Sequence, residues 1–282
     1  MEDRKEMILK ALKQAFIEDI GDGDHSSIAC VPENAQAKAK LLIKEDGLLA
    51  GVEIAKMVFT IYGDFEINIF INDGEKVKKG DVAFEVYGSA RGILACERLV
   101  LNIMQRMSGI ATYTAFLKDK IRDSNTNLLD TRKTTPNFRV FEKEAVRIGG
   151  GMNHRFALYD MIMLKDNHID YAGGIANALK KTKKYIKDSG KDLEIEIEVR
   201  DFDELNQVLE VGGFHRVMLD NFTPDDTVKA LALIDGRYKT ESSGGITDQT
   251  IADYAKTGVD FISVGALTHQ VKSLDMSLKA LK

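Results

Sequence analysis

The chain has 282 residues, 44% of them hydrophobic and 29% charged, a balance that predicts a soluble globular protein with a large core. Its apolar runs fall well short of the ~20 residues that span a bilayer, which argues against a membrane protein. The formal net charge of -5 favours neither nucleic acid nor an anionic membrane as a partner, so an anionic ligand would need a local cluster of cations.

The N-terminal segment predicts a helix rather than a signal peptide. Ile8, Leu12 and Phe16 recur at helical spacing after a charged start, without the apolar block and cleavage site of a secretory signal. The two cysteines, Cys30 and Cys96, are too few for a disulfide framework or a zinc cluster, and we expect them to be buried free thiols. We therefore expect a cytoplasmic protein.

The next part of the chain predicts a small α+β layer. Residues 37–43 and 65–71 alternate in polarity or are rich in β-branched side chains, and turn residues follow the second run. Residues 73–81 resemble the hairpin that opens lipoyl- and biotin-carrier folds. Because no turn with a modifiable lysine follows, we interpret this hairpin as structural.

Residues 95–107 predict an amphipathic helix. Its apolar face is formed by Leu99, Val100, Ile103, Met104 and Met107. Arg98, Asn102 and Gln105 fall on the opposite face. Arg98 therefore points away from the core-facing stripe of its own helix.

From about residue 125 the pattern changes to short apolar runs that alternate with amphipathic helices. The runs are residues 127–130, 161–164, 193–199, 216–219, 238–241 and 261–264. Thr223 with Pro224, and Thr247, are predicted to begin two of the helices. Since no glycine-rich dinucleotide fingerprint follows an early strand, we predict an irregular parallel α/β barrel rather than a doubly wound sheet.

Polar and small residues fall where these strands end, and in a barrel such positions converge on one mouth. They are Thr131, Arg132, Lys133, Lys165, Glu198, Asp220, Ser243, Gly244, Gly245 and Gly265. The last four could bind a phosphate through backbone N–H groups that only glycine lets approach closely. Glycine also ends strands without any such role.

Positive side chains cluster at the same mouth. They are Arg132, Lys133, His154, Arg155 and Lys165. These groups would repel one another unless an anion of several charges joined them, although solvated loop cations remain the alternative. Because guanidinium groups grip carboxylates and ammonium groups suit phosphates, the ligand should carry both kinds of group.

Acidic side chains alternate along residues 193–199. This spacing places Glu194, Glu196 and Glu198 on one face of a strand, which on an edge strand would simply be solvated. In a closed barrel Glu198 has the easiest access to the mouth. With Asp220 it makes a carboxylate pair that suits Mg²⁺.

Long motifs throughout the sequence resemble those of the quinolinate phosphoribosyltransferase family. The motifs are residues 18–26, 97–102, 108–112, 130–136, 149–155 and 165–168. The most specific stretch runs from Asp130 through Pro136 to His154 and Arg155, and on to Lys165. A chance match of that length is implausible.

The resemblance implies an N-terminal α/β sandwich domain, residues 1–110, joined by the C-terminal tail, residues 270–282, and a barrel domain, residues 111–269. It implies a homodimer in which Arg98 completes the neighbouring subunit's site. It further implies Mg²⁺-dependent conversion of quinolinate and phosphoribosyl pyrophosphate to nicotinate mononucleotide, pyrophosphate and CO2, a step in NAD biosynthesis.

Site residues carry over position by position. Those resembling the groups that grip quinolinate's two carboxylates are Arg132, His154, Arg155 and Lys165, with Arg98 from the partner. Those resembling the phosphoribosyl pyrophosphate and metal groups are Lys133, Glu198, Asp220, Ser243, Gly244, Gly245 and Gly265. Thr131 is also expected to bind substrate. Lys133, Glu198 and Asp220 are the expected catalytic residues. Asn137, Phe138, Glu144 and Ala157 depart from the family pattern and bear on the shape of the loops.

Two alternatives compete with this interpretation. One is a related enzyme of the same fold that is associated with molybdenum-uptake operons; residues 130–136 and Asn153 argue against it. The other is a non-catalytic carrier or anion-binding protein built on the lipoyl-like hairpin and a degenerate barrel. Retention of every expected ligand residue argues against that class.

Overall fold

The computed structural model describes residues 4–281. The described residues form two compact units. The first comprises residues 4–116, 133–150 and 266–281, and the second comprises residues 117–132 and 151–265. Compactness does not show which segments fold independently, so the domain boundaries given above stay a prediction. Among the described residues, no helix is both long enough and apolar enough to cross a membrane.

The elements are numbered in chain order. The helices are α1 (Arg4–Ile20), α2 (His25–Cys30), α3 (Val52–Tyr62), α4 (Ala90–Lys120), α5 (Arg139–Ile148), α6 (Asp166–Ala172), α7 (Ile175–Ser189), α8 (Phe202–Val211), α9 (Pro224–Ile234), α10 (Ile251–Lys256) and α11 (Ala266–His269). The strands are β1 (Gln36–Ile43), β2 (Gly47–Leu48), β3 (Phe65–Ile69), β4 (Lys76–Val77), β5 (Val82–Ser89), β6 (Asn127–Leu129), β7 (Ile162–Leu164), β8 (Ile195–Val199), β9 (Arg216–Asp220), β10 (Lys239–Ser243), β11 (Phe261–Ser263) and β12 (Met276–Leu281).

The first unit is built on a four-stranded antiparallel sheet of order β12-β1-β5-β3. Ala39, Leu41 and Ile43 alternate along β1 and are buried, as the period of a half-buried strand requires. The predicted strands at residues 37–43 and 65–71 are therefore confirmed as β1 and β3. Within the carrier-like hairpin, β4 pairs with the short strand β2.

Helix α4 confirms the predicted amphipathic pattern. Val100, Ile103 and Met104 are buried, whereas Arg98 is exposed. Further along the helix, a Cβ on Gly109 would lie 2.2 Å from the carbonyl oxygen of Lys272. Glycine is therefore required there for the C-terminal segment to pack on α4, from which it continues into β12 beside β1.

The second unit is a sheet of six parallel strands in the order β6-β11-β10-β9-β8-β7, with a further parallel bridge between Leu129 and Met152. All six strands of the predicted βα repeat are present, which confirms the irregular parallel α/β barrel. One face of β8 and β9 packs against the surrounding helices through Ile197, Val199, Val217 and Leu219. The alternate residues of the same strands face the opposite way, and many of them are charged.

Two local predictions differ from the structure. Thr223 caps α9 as predicted, but Thr247 does not cap α10, which begins after Thr250. The reason is a turn in which Thr247 N–H donates to Thr250 Oγ1 at 3.0 Å and Thr250 N–H donates back to the Thr247 carbonyl. Cys30 is exposed rather than buried, because it ends the short helix α2 at the surface.

Candidate active site

The predicted site residues of the second unit lie at the carboxyl ends of its parallel strands. Lys165 follows β7, Asp220 and Ser243 end β9 and β10, and Gly265 comes shortly after β11. Asp220 and Ser243 are direct partners in the register of the two strands. Because the strands are parallel, their carboxyl ends lie on the same side of the sheet, where ligand sites of such folds are found.

Lys165 and Glu198 form an ion pair at these carboxyl ends. Lys165 Nζ lies 2.5 Å from Glu198 Oε2, and the side chains are 42% and 9% exposed. A carboxylate this well buried needs a counter-ion, and the ammonium supplies it here. An anion that recruits Lys165 would release Glu198 for another cation.

The loops after β9 and β10 are fitted to each other. Asn221 adopts a left-handed φ of 59°, donates its N–H to the Ser243 carbonyl at 2.8 Å, and donates from Nδ2 to Asp220 Oδ2 at 2.8 Å. Gly244 has a φ of +94°, and a Cβ there would lie 2.1 Å from Asn221 Oδ1. Gly244 thus lets Asn221 hold the Asp220 carboxylate.

We expect Gly244→Ala to unfold more readily than Gly245→Ala. Both glycines have positive φ, so each alanine is strained, but the Cβ at Gly245 meets open space while that at Gly244 meets Asn221. The additional clash should lower the free energy of unfolding by about 1–3 kcal/mol relative to Gly245→Ala. Urea denaturation of both variants measures the difference. Equal losses would show that contact with Asn221 does not constrain this position.

Asp130, buried after β6, anchors the loop that carries the predicted carboxylate-binding residues. One of its oxygens accepts the His154 N–H at 2.8 Å and the other accepts Asn153 Nδ2 at 2.7 Å. Burial, and then the positive charge of Arg132, lower the pKa of the Arg155 guanidinium below its usual range. A guanidinium group whose charge is disfavoured by a neighbouring guanidinium is suited to an anion bound between the two.

A buried ionic cluster lies beneath this loop. His154 Nε2 is 2.8 Å from Glu196 Oε2 and 3.5 Å from Glu241 Oε2. Arg216 Nη1 contacts Glu241 at 2.9 Å, and its guanidinium lies over the Phe261 ring at 4.3 Å. Burial opposes the imidazolium, but hydrogen bonds to the two glutamates outweigh it and raise the pKa of His154 to about 9.

The same cluster could hold a metal ion by spacing alone, since His154, Glu196 and Glu241 offer ligand atoms within 4.8 Å of one another. The protonation of the histidine argues otherwise. Nε2 carries a proton in either state of the ring. The neutral ring, whose Nδ1 accepts the Arg155 N–H at 2.7 Å, has its proton on Nε2, and the imidazolium, which gives up that acceptance, has one there as well. Nε2 therefore faces the carboxylates as a donor and not as a ligand.

Sequence reasoning missed Glu196, Glu241 and Arg216. The alternation along β8 placed Glu194, Glu196 and Glu198 on one face. Only Glu198 was predicted to be a site residue, because the last acidic residue of the strand lies nearest the barrel mouth. Glu196 and Glu241 are both fully buried and approach the same imidazole from different strands. Two acidic residues at inward positions of separate parallel strands were the signal available in the sequence.

Two predicted site residues, Arg98 and Lys133, belong to the first unit. Arg98 is exposed on α4, and Lys133 is exposed with its carbonyl oxygen accepting a hydrogen bond from Thr268 Oγ1 at 2.7 Å. The remaining predicted site residues belong to the second unit. The roles of all these residues stay predictions.

Three of the departures from the family pattern have local explanations. Asn137 has a φ of 61°, a conformation that asparagine tolerates better than other residues with a side chain, so it can replace glycine there. Phe138 packs on Phe141 with ring centroids 4.7 Å apart. Glu144 pairs with Arg147 at 2.6 Å. These substitutions are accommodated without removing any expected ligand.

Comparison with known proteins places these features in a family. Residues 24–108 match the family described as "Quinolinate phosphoribosyl transferase, N-terminal domain", and residues 110–279 match the corresponding C-terminal domain. Together the two matches cover the first-unit sheet and the whole parallel sheet of the second unit.

Individual relatives agree with these matches. The chain is 44% identical over 288 residues to the chloroplastic nicotinate-nucleotide pyrophosphorylase (carboxylating) of Arabidopsis thaliana, with 96% of this chain and 82% of that protein covered. It is 42% identical to a probable nicotinate-nucleotide pyrophosphorylase (carboxylating) of Bacillus subtilis, with 95% and 92% covered. The crystal structure of NadC from Streptococcus pyogenes superposes with a TM-score of 0.90 at 40% identity, covering 98% of this chain and 97% of that one.

Proposed function

This chain belongs to the quinolinate phosphoribosyltransferase family, and from that premise we infer that it makes nicotinate mononucleotide from quinolinate and phosphoribosyl pyrophosphate, a step of NAD biosynthesis. The reaction also releases pyrophosphate and CO2. The observation that carries the inference is the match of both family domains across the chain. The positive groups at the strand ends of the second unit support it, because they suit a substrate with two carboxylates.

Quinolinate is bound, in this proposal, directly by Arg132, Arg155 and Lys165. His154, predicted with them, faces Glu196 and Glu241 and takes part by holding the loop that carries Arg155. The lowered pKa of Arg155 beside Arg132 is the electrostatic state that a bound carboxylate would relieve. Lys165 would exchange Glu198 for the second carboxylate. The buried cluster under His154 keeps the loop in place while the two guanidinium groups and the ammonium fix the plane of the pyridine ring.

Phosphoribosyl pyrophosphate is bound by the ends of the neighbouring strands and by Lys133, which directly follows Arg132 in the sequence. The strand-end residues are Thr131, Ser243, Gly244, Gly245 and Gly265. The positive φ of Gly244 and of Gly245 turns the chain after β10 so that backbone N–H groups can be presented to a phosphate.

Glu198 and Asp220 are the residues proposed to hold Mg²⁺. They lie on the charged face of adjacent strands, and their oxygens are the donors that this ion prefers, unlike the donor set at His154. The chemistry that bound magnesium supplies there is neutralisation of the pyrophosphate leaving group. Once Lys165 binds substrate, the two carboxylates also favour the positive charge that develops at C1 of the ribose.

The reaction needs no covalent bond to the protein. The pyridine nitrogen displaces pyrophosphate at C1. When the 2-carboxylate then departs as CO2, the electron pair left at C2 is stabilised by the adjacent positive nitrogen, and a proton from water takes the place of the carboxylate. Lys165 therefore forms no Schiff base, and it pairs with Glu198 instead. The residues of the chain position both substrates and stabilise charge.

The assembly is proposed to be a homodimer in which the exposed Arg98 reaches the site of the partner subunit. Arg98 lies opposite the buried stripe of α4, as such a role requires. A cytoplasmic location stays a prediction, because some plant relatives are named chloroplastic and others mitochondrial.

We expect purified protein to release labelled CO2 from quinolinate labelled in the 2-carboxylate, and only when phosphoribosyl pyrophosphate is present. Nicotinate lacks that carboxylate and would leave part of the cationic site unpaired. Loss of one charged partner costs about 2–5 kcal/mol, so kcat/KM for nicotinate should be at least about tenfold lower. Both acids would give the same nucleotide, so each is assayed in a separate reaction, and chromatography of nicotinate mononucleotide measures the two rates.

Each alternative predicts a different result in this assay. A non-catalytic carrier or anion-binding protein would release no CO2 under any condition. The related enzyme of molybdenum-uptake operons would not require quinolinate for its turnover. Comparable use of nicotinate and quinolinate would refute the proposed recognition of two carboxylates.

A further inference from the structure

A buried carboxylate in the first unit is fully satisfied by hydrogen bonds from two different segments. Glu142, on α5, is 0% exposed, and its Oε1 accepts Arg106 Nε and Nη2 at 3.1 and 2.8 Å. The Thr135 N–H donates to Oε2 at 3.0 Å and the Thr135 hydroxyl to Oε1 at 2.9 Å. Such a group is costly to bury unless its partners are held in place, so it fixes Thr135 relative to α4.

Arg106 extends this arrangement to the C-terminal segment. Its guanidinium also donates to the carbonyl oxygen of Val271, at 3.2 Å, and to that of Thr268. The planar fork of arginine suits such simultaneous contacts, which a lysine could not reproduce. The Arg106–Glu142 pair thereby joins α4, α5, the loop at Thr135 and the segment after α11.

Thr268 completes the arrangement at the proposed phosphate-binding lysine. It is 0% exposed, and its Oγ1 donates to the carbonyl oxygen of Lys133 at 2.7 Å. The backbone is therefore held on both sides of Thr134, at the Lys133 carbonyl and at the Thr135 N–H, while Lys133 itself is exposed. A fixed backbone under an exposed lysine limits the positions that its ammonium can reach.

We propose that Thr268, with the Arg106–Glu142 pair, is a positioning network that orients Lys133 for phosphoribosyl pyrophosphate. The proposal rests on the function proposed above and adds residues that act through Lys133 without touching substrate. A network that only stabilised the fold would affect both substrates alike. A positioning role instead predicts that the Thr268 hydroxyl group affects the affinity for phosphoribosyl pyrophosphate and not that for quinolinate.

The test replaces one hydroxyl group. Thr268→Val keeps the shape of the side chain and removes its donor, whereas Thr268→Ser keeps the donor. We expect Thr268→Val to raise KM for phosphoribosyl pyrophosphate roughly tenfold with a smaller change in kcat and an unchanged KM for quinolinate. Thr268→Ser should lie within about twofold of the wild type.

Thr126→Val is the matched control. Thr126 is 1% exposed and donates from Oγ1 to the carbonyl oxygen of Val259 at 2.7 Å. This is a hydrogen bond of the same type and length as that of Thr268, but it lies in the second unit. It should lower stability about as much as Thr268→Val and leave both KM values unchanged. If both valine variants raise the two KM values alike, or if Thr268→Val raises neither, the network is only structural and the proposal fails.

A second measurement does not depend on activity. Trypsin cleaves after lysine, and loss of the carbonyl anchor should increase nicking after Lys133 at least several-fold in Thr268→Val but not in Thr268→Ser or Thr126→Val, as quantified by mass spectrometry. Unchanged nicking would overturn the anchoring role. A wild-type protein that releases no CO2 while Thr268→Val shows the expected nicking would refute the proposed function and leave the anchoring of Lys133 established.

Discussion

Glu198→Gln and Asp220→Asn should each fold and lose at least about 100-fold in kcat, the loss typical when a group that stabilises charge in the transition state is removed. The amides keep the volume of the side chains but remove the charges proposed to hold Mg²⁺ and to favour the cationic sugar. Steady-state CO2 release at saturating substrates and Mg²⁺ measures the loss.

The structure separates this loss from unfolding. Glu198 pairs with Lys165, whose side chain is 42% exposed, so the ammonium left behind in Glu198→Gln can be solvated. Asp220 accepts Asn221 Nδ2, and an asparagine oxygen at position 220 can accept it as well. Both variants should therefore unfold close to the wild-type temperature.

Glu194→Gln is the matched control for Glu198→Gln. It is the same change four residues earlier, two strand repeats away, at an exposed position just before β8. It should leave turnover unchanged. Near wild-type turnover of Glu198→Gln or Asp220→Asn at saturating Mg²⁺ would show that the carboxylate concerned does not act in the reaction.

The sequence predicted best those features that depend on local periodicity. The two-residue alternation of β8 and the helical stripe of α4 each place side chains on a definite face, and both placements are confirmed. Arg98 could be placed at the surface for the same reason. The convergence of strand ends followed from the parallel topology, which itself followed from the βα repeat.

Features that depend on contacts between distant segments could not be predicted. Nothing in the neighbourhood of Glu241 shows that its partners are His154 and Arg216, because those contacts exist only once the strands are assembled. Thr268 likewise gives no local sign that it holds the Lys133 carbonyl. The prediction that Thr247 begins α10 was wrong for a local reason. A turn closed by a threonine side chain and a helix capped by one have similar sequences, and here the turn forms.

The dimeric arrangement leads to the second prediction with a large effect. Arg98→Ala and Lys165→Ala should each reduce CO2 release to background. Arg98→Ala removes a side chain proposed to complete the site of the partner subunit, and Lys165→Ala removes a side chain of the subunit's own site. Arg98 is exposed, so Arg98→Ala should fold as the wild type does. Lys165→Ala removes the counter-ion of Glu198, so it should lower the unfolding temperature, and a thermal melt checks that it remains folded.

Mixing the two variants should restore activity if the sites are shared. When equal amounts are unfolded together and refolded, random pairing makes about half of the dimers mixed, and each mixed dimer has one site with Lys165 of its own and Arg98 of the partner subunit. Recovery should therefore approach about a quarter of the wild-type rate, whereas mixing the folded dimers without exchange should recover none. Refolding each variant alone controls for reversion. If distinct affinity tags show that mixed dimers form while CO2 release stays at background, Arg98 does not act across the interface and each subunit must complete its own site.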